Sequence, residues 1–76
     1  LRLHAANTNC LKLTSRHASL PDERFVLLSD ILPTAWHACE LGEVGSLDYK
    51  NVAIWGAGPV GLLAVMCAQH RGAESV

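Results

Sequence analysis

Apolar and polar positions along the chain change their spacing several times, and each change marks an element. Residues 1–13 mix short apolar runs with Asn7, Thr8 and Asn9, a weak alternation that suits a connecting or edge segment. Ser19-Leu20-Pro21-Asp22-Glu23 is a helix-start signature, with a hydroxyl, a first-turn proline and acids at the positive end of the helix dipole. Phe25, Leu27 and Leu28 continue it into a short helix that stops by Ser29 or Asp30. Asp30 and Pro33 open a second helix. Its apolar members Ala35, Trp36, Ala38, Cys39 and Leu41 are too dense for one stripe, so burial on more than one side is expected. Gly42 and Gly45 end it, and residues 47–51 form a polar turn.

The last third is the most patterned. Asn51-Val52-Ala53-Ile54-Trp55 reads as a strand buried on both faces. A tight turn follows over Gly56-Ala57-Gly58-Pro59-Val60-Gly61, then an apolar helix from Leu62 to Arg71. His70 and Arg71 place basic groups at its C-terminal end, and Gly72 stops it. Ala73-Glu74-Ser75-Val76 begins a second strand. No repeat or low-complexity segment interrupts this order.

Composition narrows the class. Half of the 76 residues are apolar and the formal net charge is −1, with acids and bases interspersed, so nothing points to nucleic-acid binding. Cys10, Cys39 and Cys67 are odd in number and far apart, without a C-x-x-C pair. That pattern speaks against a disulfide framework or a four-cysteine zinc site and for a reducing, cytoplasmic setting. No signal peptide is visible, and the leucine start suggests a piece of a longer chain. Val52 to Ala68 carries no charge, which raises a membrane-spanning helix as an alternative. Gly56, Gly58, Pro59 and Gly61 sit inside that run, and such residues penalise a helix interior by about 1 kcal/mol per glycine and about 3 for proline. No membrane association is therefore expected.

A strand, G-x-G-x-x-G and a helix, in that order, make a dinucleotide-binding fingerprint. Gly56 allows the sharp exit from the strand, Gly58 lets the backbone approach a pyrophosphate, and Gly61 lets the helix pack closely. The helix N-terminus offers N–H groups and about half a positive charge to the phosphates. The alternative is a tight turn without a ligand. The expected fold is α/β, the first βαβ portion of a Rossmann-type doubly wound dinucleotide-binding fold, preceded by short linking helices. The acid that would read the ribose lies about 20 residues further on, past Val76, so NAD and NADP are not distinguished.

Two segments, residues 28–37 (LSDILPTAWH) and residues 52–61 (VAIWGAGPVG), together resemble the zinc-type medium-chain dehydrogenases, and within them the formaldehyde and polyol dehydrogenase-like branch of the alcohol dehydrogenase family. Leu1-Arg2-Leu3 and Asn9-Cys10-Leu11-Lys12-Leu13 extend the resemblance over nearly the whole chain. It implies a fragment of an oxidoreductase that transfers hydride between an alcohol or aldehyde and NAD(P). Asp30 then matches a ligand of the catalytic zinc, although its position suits a helix cap equally well. Thr34 matches a threonine against the nicotinamide ring, and Gly58, Pro59 and Val60 match the backbone over the pyrophosphate.

The implied organisation is the end of a catalytic domain over 1–29, a connecting helix and turn over 30–50, and the start of an NAD(P)-binding domain over 51–76. The family's other zinc ligands and its four-cysteine lobe have no counterpart here. His4, His17, His37 and His70 lack metal-ligand spacing, and the cysteines read as small buried hydrophobes. The parent is expected to be a homo-oligomer and the 76-residue chain alone to be inactive. The alternative is a non-catalytic truncated product or interaction fragment, exposing Ile54, Trp55, Leu62, Leu63 and Val65 as an apolar patch.

Overall fold

A computed structural model describes residues 2–76. Leu1, the first residue of the expected N-terminal segment, and the side chain of His17 lie outside the described residues. Among the described residues there are three α-helices, α1 (Ala6–Asn9), α2 (Ile31–Leu41) and α3 (Pro59–His70), with short 3-10 turns at Ser15–His17, Asp22–Arg24 and Val26–Leu28.

The architecture rests on α2 packed against α3. Their contact is built from small side chains: Ala35 and Cys39 on α2, Cys67 and Ala68 on α3, with Val44 from the intervening turn. Leu32, Val52, Leu63, Ala64 and Ala73 pack around this cluster. Small residues let two helix backbones come close, but each removes little apolar surface from water. Arg71 ties the turn to the end of α3, its Nε donating to the Val44 carbonyl at 3.3 Å. Gly45 closes this junction at φ 88°, where a Cβ would fall on the Arg71 carbonyl oxygen.

The expected βαβ unit is not formed. Among the described residues no strand is present, and the only sheet-type pairing is an isolated parallel bridge between Asn51 and Ser75. Val52 N donates to Ser75 O at 2.9 Å and Glu74 N to Lys50 O at 2.8 Å, while Lys50 Nζ and Glu74 Oε1 pair at 2.8 Å beside them. Chain direction at this crossing is as a βαβ unit requires, but the ladder stops after one bridge. Among the described residues Ala53, Ile54 and Trp55 make no ladder bond, and a pair of strands is marginal without a third. The described residues therefore form a helix-on-helix pair with an irregular segment between the helices rather than an α/β layer.

Two of the three expected helices form, one of them with a shifted start. α3 starts three residues earlier than Leu62, at Pro59, because proline at the first helical position is pre-set for the helix and its absent N–H costs nothing there. Residues 22–28 form two 3-10 turns in place of one helix. Their bonds span three residues (Phe25 N to Asp22 O at 2.9 Å, Leu28 N to Phe25 O at 3.0 Å), and Ser29 Oγ takes the Val26 carbonyl at 2.9 Å. A segment this short does not repay helix nucleation. α2 buries one face only: Ala35 and Cys39 are inside, whereas Trp36, Ala38 and Leu41 are exposed. Cys10 is likewise exposed, unlike the buried Cys39 and Cys67. No helix among the described residues is long and apolar enough to cross a membrane.

Candidate functional site

The turn between Trp55 and α3 is shaped by its glycines. Gly56 takes φ 102°, a left-handed conformation that strains any residue with a side chain. The chain then doubles back so that Gly61 lies on the Gly56 carbonyl: a Cβ at Gly61 would overlap that oxygen and sit 3.9 Å from Ile54 Cγ2. Gly58 differs from both. Its φ of −77° is ordinary, and a Cβ there would meet nothing within 4 Å. Neither backbone strain nor packing requires glycine at position 58.

Gly58 is the N-cap of α3 and has no side chain to satisfy the first turn. Pro59 brings no N–H, Leu62 N donates to the Gly58 carbonyl at 2.9 Å, and the amides of Val60 and Gly61 lack intrahelical acceptors by position. Pro59 and Val60 are exposed. The turn is thus an open backbone surface with free amides at the positive end of a 12-residue helix, a surface suited to an anion.

Asp30 and Thr34 sit one turn apart at the start of α2, both exposed. Asp30 occupies the N-cap position, with φ −143° and ψ −64°, yet its side chain makes no capping bond. Instead Thr34 Oγ1 donates to the Asp30 carbonyl at 2.9 Å and reaches its Oδ1 at 3.5 Å. The capping alternative for Asp30 therefore fails, and its carboxylate faces solvent. Packing of α2 on α3 holds this pair and the glycine turn in one body, although among the described residues no hydrogen bond joins them.

A network that the sequence did not announce closes the far end of the helix pair. Trp36 Nε1 donates to Glu40 Oε1 at 3.2 Å, Arg71 Nη1 lies 3.9 Å from the same oxygen, and its guanidinium stands 5.1 Å from the Trp36 ring. His70 packs its ring 5.9 Å from Trp36, and His37 Nδ1 lies 3.9 Å from Glu40 Oε2. The four-residue spacing of Trp36 and Glu40 was a local signal, but nothing local tied either to Arg71. No group of three or more His, Cys, Asp or Glu able to hold a metal ion occurs among the described residues.

Over all 76 residues the chain is 46% identical to a zinc-type alcohol dehydrogenase-like protein of Schizosaccharomyces pombe, covering 100% of this chain and 17% of that protein. It is 44% identical over 72 residues to the glutathione-independent formaldehyde dehydrogenase of Pseudomonas aeruginosa, covering 93% of this chain and 18% of the relative. A D-xylulose reductase of Scheffersomyces stipitis is 49% identical over 49 residues, which cover 64% of this chain and 13% of the reductase. No family model matches the chain, and no solved structure matches it. The chain spans less than a fifth of the length of these relatives. With Asp30, Thr34 and the whole glycine turn inside the full-length match, the chain belongs to the zinc-type alcohol dehydrogenase family, corresponding to a short segment of its members.

Proposed function

We propose that the chain is the cofactor-facing segment of a zinc-dependent alcohol or aldehyde dehydrogenase, of the formaldehyde or polyol type, that moves hydride to or from NAD or NADP. The carrying observation is Gly58: glycine stands where a Cβ would find open space, beside free amides at a helix N-terminus. A pyrophosphate laid over Gly58, Pro59 and Val60 gives that missing side chain a purpose, with Gly56 and Gly61 shaping the turn. Thr34 would orient the nicotinamide.

Asp30 suits one position in a zinc shell, since its carboxylate is exposed and not spent on capping. A catalytic zinc needs about three protein ligands, so the others would come from outside these 76 residues. Bound zinc would supply polarisation of the substrate oxygen. In this reading residues 1–29 close the substrate-side domain, 30–50 connect, and 51–76 open the cofactor-binding part. The complete enzyme would be a cytoplasmic homo-oligomer, and the 76-residue chain would not turn over alcohol.

Titration of NADH and NADPH into the chain, followed by amide shifts, tests the site. Shifts confined to residues 56–62, weakened at least tenfold by Gly58→Ala with the melting temperature unchanged, are expected. Absent shifts, or shifts indifferent to that substitution, refute it. Trp55, 90% exposed, with Leu62 and Met66, favours a second reading in which the chain binds another polypeptide without catalysis. A chain that elutes from cell extract at its own mass counts against that reading.

A further inference from the structure

We propose that Cys39 and Cys67 form a reversible disulfide that staples α2 to α3. Both side chains end in the same buried cluster, one from each helix, at 5% and 4% exposure. The Cys39 thiol points across the interface and donates to the Ala64 carbonyl at 3.9 Å. Ala64 lies one helical turn before Cys67, so this thiol already reaches the stretch of α3 that carries the second one. Ala35, Ala64 and Ala68 surround the pair, and such small side chains permit the close Cα approach, roughly 4.4–6.8 Å, that a disulfide requires. The nearby Cys67 also helps hold the Cys39 thiol protonated.

The co-reactant is a small disulfide such as glutathione disulfide. One protein thiolate attacks it, forming a mixed disulfide and releasing one glutathione. The second protein thiol, losing its proton, displaces the other glutathione. Two protein thiols are oxidised by two electrons in all, and one glutathione disulfide is reduced to two thiols. Burial of both groups makes the first attack slow compared with that at the exposed Cys10.

The test uses the full chain with Cys10→Ser, incubated with glutathione disulfide under folded conditions and mapped by non-reducing peptide mass spectrometry. A 39–67 cross-linked peptide two hydrogens lighter than its reduced parts is expected. With it, melting should rise by roughly 10 °C or more, be reversed by dithiothreitol, and fail to rise in a Cys39→Ser chain. Stable glutathione adducts without the cross-link would overturn the proposal. So would a cross-link seen only in denaturant, or equal melting of the oxidised and reduced chains.

Discussion

Gly58 and Gly61 belong to one motif but answer to different forces. A side chain at Gly61 would collide with the Gly56 carbonyl, so Gly61→Ala should destabilise the chain by about 1–3 kcal/mol, measured as a lowered urea midpoint. Gly58→Ala meets open space at an ordinary φ and should cost about 0.5 kcal/mol or less in the same assay. Its effect belongs to ligand binding. Cys39 supplies a pH signature. Burial pushes its thiol above the ordinary value, Cys67 adds to the rise, and Arg71 opposes it. The unfolded chain then gives up this proton at lower pH than the folded one. Stability from Cys39 is therefore complete below the ordinary thiol value of about 8.5 and is lost as pH rises beyond it. Denaturation midpoints at neutral and alkaline pH should differ more in the native sequence than in Cys39→Ala.

Among the elements, the α2–α3 contact carries the fold, and its tolerance is narrow because its members are already small. Ala35 and Ala68 have no exposed surface. Ala68→Leu should push the helices apart and cost about 1–3 kcal/mol, whereas Leu41→Ala, at a position 74% exposed, should change stability by less than about 0.5 kcal/mol. Chemical denaturation of the two variants checks the contrast. The segment before α2 shows the opposite balance: the proline and acids at 21–23 promise a helix, but the run is too short to repay nucleation, and 3-10 turns satisfy the backbone instead.

The whole molecule is open for its mass. Its accessible surface is 6486 Å², where a compact monomer of 8.2 kDa would show about 4,500 Å². Its radius of gyration is 14.8 Å against about 11 Å for a compact chain of this length. Trp55, Leu62 and Met66 are among the side chains left in water, and a core of five small residues opposes the chain entropy. The isolated chain should therefore bind a hydrophobic dye and melt broadly, with a weak calorimetric peak. A sharp transition with no dye fluorescence would contradict this account of its packing.

Local chemistry was legible in the sequence where it depends on neighbours a few residues apart. Pro59, the glycines of the turn and the stop at Gly72 mark α3; Asp30, Pro33 and Gly42 bracket α2; and the two motifs carry the family. Each follows from backbone sterics or from residue types at short range. The isolated Asn51–Ser75 bridge, the one-sided burial of α2, the exposure of Cys10 and the Glu40–Arg71–Trp36 network were decided only in three dimensions. A parallel strand is stabilised by partners distant in sequence, and the run from Val52 to Trp55 has the composition of a buried strand whether or not those partners are present. Sequence pattern determined what this segment is suited to become. Tertiary structure determined that, with a single bridge among the described residues, it forms no strand.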